Sequence, residues 1–348
     1  MRQLMMWAPV RLIVLLWLPV AAAQQQRQLS IIESVQLPEL HERGLSVMAP
    51  MKCSPTGELY VRFSPKENGV TVVSEDRQHV LHFDLSQVPD LNGSSLSDFA
   101  PGLDHGAFLL VAGPAGPRSP AEKYIVTLKD DATSTVTKLD TQPGLALMQI
   151  AVLGADHFVI SGYFRLGGKP PKPFTAIFDQ RGQLQKEISL PGDLDSKAVA
   201  KSKLMPGSQS PDRGFAAWLE VSSLQTADDG SVYITRHGPE GPVFLISPGG
   251  AVRSVRLRPP ETAATLASVK VNGGTLAAEY YMLGSTPGGQ RVRYLTVTDL
   301  SSRKLQETIR YEGSQSAGVG MVCYRENTFE FLSQASDGHL EIVRAVGR

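Results

Sequence analysis

Ser30 to Leu37 read S-I-I-E-S-V-Q-L, a strand-like stretch closed by Pro38, and its placement decides how the rest of the chain is interpreted. Comparable stretches end internal units of the chain: L-Q-K-E-I-S-L-P begins at Leu184 and A-V-R-S-V-R-L-R-P begins at Ala251. The last strand-like stretch, His339 to Ala345, has no such ending, because the chain stops three residues later. The simplest interpretation is that Ser30 to Leu37 supplies the strand that the last unit lacks.

A two-strand pattern recurs along the chain. An apolar strand reaches a small or polar turn residue, and a second strand then begins with a large apolar side chain. The six turn residues are Gly57, Gly106, Asp156, Gly230, Gly274 and Asn327. The apolar residues two positions further on are Leu59, Phe108, Phe158, Val232, Leu276 and Phe329. The turns are 49, 50, 74, 44 and 53 residues apart, and a period of about 50 with several short strands per unit is typical of β-propeller blades.

A third strand that runs into a tight turn follows each of the first five hairpins. These third strands are predicted to contain H-F-D-L at His82, T-L-K-D-D at Thr127, I-F-D-Q-R-G at Ile177, L-I-S-P-G-G at Leu245 and V-T-D-L at Val297. In the sixth unit the third strand is His339 to Ala345, which would be left with an unpaired edge, an aggregation hazard. The sequence therefore predicts an all-β, six-bladed β-propeller whose sixth blade is completed by residues 30–37.

The repeat resembles the six-bladed β-propellers of the NHL and TolB-like kind. The resemblance covers about residues 30 to 345 and rests on the repeat pattern, with G-E-L-Y-V at Gly57 and G-S-V-Y-I at Gly230 as turns similar to those of that group. The chain departs from other propeller families, since it has no W-D dipeptide, no Y-W-T-D motif and no Asp-box with its tryptophan. A pair of β-sandwiches or a β-helix is the alternative architecture.

The N-terminal segment has the pattern of a secretory signal peptide. Arg2 and Arg11 precede a short apolar core that ends in Ala21-Ala22-Ala23, an A-x-A type of cleavage site before Gln24. The unbroken apolar stretch from Leu12 to Ala23 has 12 residues, fewer than the roughly 20 that a membrane-spanning helix needs. A membrane anchor is the alternative interpretation of this stretch.

The composition is that of an ordinary globular protein, with 42% hydrophobic and 20% charged residues among 348. Lys plus Arg and Asp plus Glu number 34 each, and loss of Arg2 and Arg11 with the signal would leave a balance of 32 − 34 = −2. No global field therefore favours nucleic acid or an anionic membrane, and no later segment could span a bilayer. We predict a signal peptide over 1–23, a linker over 24–29 and a single, monomeric, exported domain over 30–348, in the periplasm or outside the cell.

The longest interval between turns contains an enlarged connection after Leu190. It spans residues 191–213, and its sequence is compatible with a helical turn over Leu194 to Leu204. In propellers such a connection joins the fourth strand of one blade to the first strand of the next, on the face that usually carries the site. Because long loops on a rigid scaffold often carry function, we predict a docking surface there for a protein, peptide or glycan. A tolerated insertion explains the length equally well, since a longer loop costs little entropy.

The two cysteines occupy equivalent positions in the first and the sixth unit. Cys53 lies four residues before Gly57, and Cys323 lies four residues before Asn327. Ring closure would make these units neighbours, and in an oxidising compartment two cysteines favour one disulfide. Two buried thiols that lie too far apart to bond are the alternative.

Motifs for catalysis are absent from the sequence. It contains no G-x-S-x-G elbow, no phosphate-binding loop and no D-x-D-x-D-G calcium loop. No catalytic residue, cofactor or metal ligand is predicted, and the function indicated is a binding or interaction module. The alternative is a hydrolase or lactonase-like propeller enzyme that holds a metal ion in the central channel. Three or more Asp, Glu, Asn or His side chains at the axis would support the enzyme, whereas Lys52 and Lys270 in the channel would count against it.

Most of the predicted connections between second and third strands carry a cation among Gly and Pro residues. These cations are Arg118, Lys123, Arg165, Lys169, Lys172, Arg236 and Arg291. If they surround one channel mouth, their combined field would favour an anionic group. Ordinary solvated loop charge is the alternative explanation.

Overall fold

The computed structural model describes most of the chain from Arg27 onward. The described residues are 27–37, 40, 50–64, 67–102, 105–114, 121–130, 133–165, 171–191, 223–236, 242–282, 292–312, 320–335 and 337–348. They form an all-β fold in which small sheets have a propeller-like arrangement. Two short 3-10 turns, Leu85–Gln87 and Pro89–Leu91, follow the first sheet.

Four sheets contain four strands each, and within each sheet every strand pairs antiparallel with the next strand in the chain. Sheet I contains β2 (Met51–Cys53), β3 (Leu59–Val61), β4 (Gly69–Val73) and β5 (Val80–Asp84). Sheet II contains β6 (Ser95–Pro101), β7 (Ala107–Ala112), β8 (Lys123–Leu128) and β9 (Ser134–Lys138). Sheet III contains β10 (Leu145–Leu153), β11 (His157–Phe164), β12 (Lys172–Asp179) and β13 (Leu184–Glu187). Sheet IV contains β14 (Ser223–Thr226), β15 (Val232–Thr235), β16 (Pro242–Ile246) and β17 (Val252–Arg256).

Sheet V has eight strands, in two halves. The first half contains β18 (Ala264–Asn272), β19 (Thr275–Met282), β20 (Val292–Asp299) and β21 (Leu305–Glu312). The second half contains β1 (Arg27–Leu37), β24 (Leu340–Gly347), β23 (Thr328–Gln334) and β22 (Gly320–Arg325). The halves are joined by a short parallel contact in which Arg27 and Gln28 of β1 pair with Ile309 and Arg310 of β21.

The N-terminal strand pairs with the last strand, as the sequence predicts. β1 and β24 are antiparallel, with Leu29 opposite Gly347 and Leu37 opposite Leu340. β1 begins at Arg27, so residues 27–29 belong to the strand and not to the predicted linker. Because these extra residues reach β21, the predicted six separate sheets are observed as four sheets and one joined sheet.

All six predicted turn residues lie between the first and second strands of a hairpin, which confirms that part of the repeat. One predicted third strand is wrong. His82 lies in β5, the fourth strand of sheet I, and the third strand is β4, which starts at Gly69. The residues of β4 are buried on both faces and therefore lack the alternation that marks a half-buried strand.

Six apolar clusters form the core, each between two adjacent sheets or halves of a sheet. They lie between sheets I and II, II and III, III and IV, IV and the first half of V, the two halves of V, and the second half of V and sheet I. The middle strands are buried on both faces by this packing, whereas the fourth strand β13 is exposed along its length. The succession of clusters returns to its starting sheet, so the sheets close on themselves.

Candidate functional site

The first strand of each sheet, together with β22, lies at the centre of the arrangement, where strands contact one another in the order β18, β22, β2, β6, β10 and β14. We call β2, β6, β10, β14, β18 and β22 the inner strands. Several of their buried side chains are polar, although a buried polar group is costly unless it is hydrogen-bonded. The partners of these groups therefore define the chemistry of the centre.

Lys52 connects the inner strands of three sheets. Its ammonium donates to Asp98 Oδ2 at 2.6 Å and to the carbonyl of Ile150 at 2.8 Å, and the same carboxylate oxygen accepts the backbone N–H of Ile150 at 2.9 Å. Both side chains of the ion pair are buried. Burial lowers the pKa of Lys52, and the charge of Asp98 partly opposes this effect.

Three further links continue around the centre. Thr226 Oγ1 donates to the carbonyl of Val152 and accepts the backbone N–H of the same residue, which joins β14 to β10. Lys270 Nζ donates to Gln225 Oε1 at 3.0 Å, which joins β18 to β14. The carboxylate of Glu279, on β19, accepts the backbone N–H of Met321 at 2.9 Å, which joins this half of sheet V to β22.

The disulfide Cys53–Cys323 joins β22 to β2, with the two Cα atoms 5.5 Å apart. The sequence left this bond open beside the alternative of two separate thiols, and the separation lies within the usual range for a disulfide. With it, side-chain contacts link the six inner strands around the centre, and the link from β18 to β22 passes from Ser268 through Glu279 of β19.

Replacement of Asp98 by alanine is expected to destabilise the protein by about 3–5 kcal/mol, because it leaves the buried ammonium of Lys52 without a carboxylate. Denaturant unfolding measures the effect. The matched control is Glu122→Ala, which removes an exposed carboxylate from its pair with Lys138 and should cost about 1 kcal/mol or less. Similar losses in the two variants would contradict a structural role for the buried pair.

Lys270 differs from Lys52 because its partner is an amide. Gln225 Oε1 also accepts from the hydroxyl of Tyr233 at 2.8 Å. Burial lowers the pKa of Lys270 to about 7, the charge of Lys52 adds to the effect, and Glu279 opposes it. Since this pKa is below the ordinary value of 10.5, the unfolded chain binds more protons between the two values. The contribution of Lys270 to stability therefore rises with pH across that window.

A small cavity lies beside Lys270, at the end of the inner strands where the hairpins turn. Its volume is about 20 Å³, which is room for about one water-sized species. Its lining includes Gln225, Tyr233, Lys270, Asp228 and Arg325, of which Asp228 is exposed. The cavity is thus reached from the hairpin side and is too small for an organic ligand.

A larger groove of about 390 Å³ runs over sheet III. Its lining is Asp140, Thr141, Gln142, Pro143, Leu145, Phe164, Phe174, Phe178, Leu184 and Glu187. The rings of Phe164 and Phe174 meet edge to face, with centroids 5.3 Å apart. The volume lies in the range of small-ligand pockets, and the charged residues of the lining are carboxylates.

Three of the predicted loop cations lie close either to one another or to Phe164, outside the lining of the groove. Arg165 follows Phe164, its guanidinium lies over the ring of Tyr163, and its charge lowers the pKa of Lys123 after the larger effect of burial. Lys172 pairs with Phe164 across β11 and β12.

Of the remaining predicted cations, the structure describes Arg236. Arg236 directly follows β15, at the start of the connection to β16, and its side chain is buried. Arg118, Lys169 and Arg291 lie outside the described residues, as does the predicted docking connection beyond Pro191, including the helical turn at 194–204.

The sequence interpretation missed Asp98, Gln225 and Glu279. Asp98 and Glu279 are each the one charged residue of their strands, S-L-S-D-F-A-P and T-L-A-A-E-Y-Y-M, and that position was a usable signal. Gln225 offers no comparable signal, because an amide is unremarkable near the end of a strand.

Within the described ranges, no group of three or more His, Cys, Asp or Glu is placed to hold a metal ion. Of the residues that the structure describes, none belongs to a helix with the length and apolar character to cross a membrane.

Comparisons with known proteins do not show a family for the chain. No family model matches the chain, and no curated protein matches it. A protein of unknown function from Bacteroides caccae has a TM-score of 0.40 and 12% identity, over 75% of this chain and 80% of its own. A subtype N10 neuraminidase-like protein of A/little yellow-shouldered bat/Guatemala/060/2010 has a TM-score of 0.45 and 10% identity, over 92% of this chain and 100% of its own. A protein of unknown function from Dyadobacter fermentans has a TM-score of 0.49 and 9% identity, over 92% of this chain and 99% of its own.

Proposed function

We propose that the protein is an exported, six-bladed β-propeller that serves as a peptide-binding module. In this proposal the two halves of sheet V are separate blades, and β1 is the outer strand of the sixth. The six core clusters support this count, since each packs one four-stranded unit against the next. A single monomeric domain over 30–348, similar in blade organisation to the NHL and TolB-like propellers, is part of the same proposal.

Export is proposed from two independent features. The first 23 residues have the order of a signal peptide. The disulfide Cys53–Cys323 belongs to an oxidising compartment, because thiols stay reduced in the cytosol. Sequencing the N-terminus of the exported protein tests the cleavage site, and Gln24 is the expected first residue.

The observation that carries the binding function is the groove over sheet III. Its floor is apolar and aromatic, and Phe174 and Phe178 are almost fully buried beneath it. The sheet around it is paired along its length and packed on both sides, so the groove exists before any ligand arrives. A preformed site lowers the cost of ordering on binding.

The charges around the groove favour a peptide among the partners left open by the sequence. Asp140 and Glu187 in the lining attract a cation, and aromatic ring faces do the same. A lysine or arginine side chain combines such a cation with an apolar stem. Lys172, which lies opposite Phe164 in the pairing of β11 with β12, would receive a carboxylate of the same peptide. A peptide with a basic side chain and a free C-terminus fits both ends of the groove.

Fluorescence anisotropy with a labelled octapeptide that contains Phe-Arg-Leu and a free C-terminus tests the proposal. We expect the matched peptide with glutamate for arginine to bind at least about tenfold more weakly, which is about 1.4 kcal/mol. Asp140→Asn with Glu187→Gln should remove most of that preference. The control is Asp156→Asn, an exposed carboxylate at the hairpin end of the same sheet. Equal binding of both peptides, or loss of binding in the control, would contradict this site.

The metal-dependent enzyme is less well supported. The centre contains two buried lysines, Lys52 and Lys270, close enough that the charge of one lowers the pKa of the other. Two ammonium groups oppose the entry of a cation. Metal analysis of the purified protein is the measurement that decides between the two functions.

A further inference from the structure

Lys270 and the charged groups near it differ in how they are paired. Lys52 has Asp98 as its partner, Arg325 has Glu75 at 2.7 Å, and Glu279 has Arg293 at 2.8 Å. Lys270 instead donates to the neutral amide of Gln225, which is the one acceptor that the described part of the chain gives its Nζ. A buried ammonium is normally paired with an anion, because burial without one is costly.

Two carboxylates that face Lys270, those of Asp228 and Glu279, are engaged elsewhere. Asp228 is the carboxylate in the cavity lining, and its Oδ2 accepts the backbone N–H of Gly273 at 2.8 Å. The carboxylate of Glu279 accepts from Arg293 and from the hydroxyl of Tyr311 at 2.6 Å. Tyr233 faces the cavity, and its hydroxyl donates a hydrogen bond to Gln225 Oε1. Burial raises the pKa of this hydroxyl, so it stays protonated.

We propose that the cavity beside Lys270 is a binding site for one small inorganic anion of the halide class, which pairs with the Lys270 ammonium. The volume of about 20 Å³ admits about one species of this size. The guanidinium of Arg325 adds positive charge to the lining, and the exposed rim gives the ion a path from solvent. A carboxylate-bearing metabolite or a phosphate is too large for this space.

Anion binding at this site is linked to protonation of Lys270. The anion pairs with the ammonium and not with the neutral amine, so bound halide raises the pKa of Lys270 from about 7. Above that pKa the ammonium must be formed as the anion binds. The apparent dissociation constant should therefore rise about tenfold per pH unit on the alkaline side and level off on the acid side. The groups that face Lys270 and modulate this are Lys52, Glu279, Asp228 and Arg325.

Thermal unfolding in sodium chloride, compared with sodium gluconate at equal ionic strength, tests the proposal. We expect chloride to raise the melting temperature of the protein in a saturable way, more strongly below the pKa of Lys270 than above it. Lys270→Met should reduce the affinity for chloride at least about tenfold. Lys304→Met, which removes an exposed lysine from the turn before β21, should leave the chloride effect unchanged.

A crystal of the unmodified protein soaked in bromide gives a readout that does not depend on a variant folding. An anomalous peak in the cavity, within hydrogen-bond distance of Lys270 Nζ, is the expected result. Equal melting in chloride and gluconate, with no bromide peak at Lys270, would overturn the proposal. A bromide peak at Lys270 without any halide-dependent stability would show an adventitious ion only, and would overturn it as well.

Discussion

A chain that lacks residues 24–38 is expected to lose its native fold. The deletion removes β1, which pairs with β24 from Leu29 to Leu37 and contributes the buried side chain of Leu37 to the cluster shared with sheet I. It also removes Glu33, which forms an ion pair with Arg344 at 2.8 Å. The loss should reach roughly 5 kcal/mol or more, which is a large part of the stability of a typical protein. Near-UV circular dichroism and size exclusion measure whether a compact, soluble protein remains.

Point variants separate the contribution of β1 from a general effect of truncation. Leu37→Ala creates a cavity in the core and should cost about 2–5 kcal/mol. Ile32, on the same strand, is 49% exposed, and Ile32→Ala should change stability by about 0.5 kcal/mol or less. A truncated chain that melts like the full-length protein would show that β1 does not close the arrangement. So would equal effects of the two point variants.

The double variant Cys53→Ser, Cys323→Ser is expected to lose about 5 kcal/mol of stability relative to the oxidised protein, on the chain-entropy model. The bond closes a loop across a sequence separation of 270 residues, and long loops restrict the unfolded chain most. Denaturant unfolding with and without a reductant measures the difference.

The reduced natural protein is the matched control for this variant. It should unfold at the same denaturant concentration as the double variant, because both lack the same covalent link. A natural protein whose unfolding is unaffected by reductant would contradict a stabilising disulfide. The cysteines lie on β2 and β22, the inner strands of the first and the last unit of the chain. The refolding rate of the variant therefore also shows whether the bond helps these two units to come together.

The parts of the fold that the sequence predicts are those controlled by local chemistry. The hairpin turns were found because each combines a turn residue with a following apolar strand, and Gly57 illustrates why: its φ of +97° strongly favours glycine. The pairing of β1 with β24 was found because an unpaired last strand is costly. Both arguments need only neighbouring residues and one rule of strand pairing.

The centre could not be predicted in the same way, because it depends on irregular strands. The inner strands β6, β10, β18 and β22 each carry a register shift in their first hairpin, as between Leu96 and Asp98. Such an irregularity changes which side chains face inward. The pairing of Lys52 with Asp98 therefore follows from bulge geometry that the residue pattern does not reveal. The groove over sheet III depends on side chains from all four strands of that sheet and from the connection that precedes it, so sequence spacing could not assemble it either.

The links between the inner strands have a mechanical consequence. They form a closed ring of contacts around the centre, which fixes its circumference. The ring consists of one disulfide, a buried ion pair, an amide contact, a hydroxyl group and a carboxylate. A ring linked in this way widens only when one of its contacts breaks. We therefore expect that organic molecules do not pass along the central axis. We also expect the ring to select ions by their radius. Iodide should be excluded more strongly than chloride, because the ring does not expand to admit the larger ion. A reductant, which breaks the disulfide, would then weaken this selection by radius before it unfolds the protein.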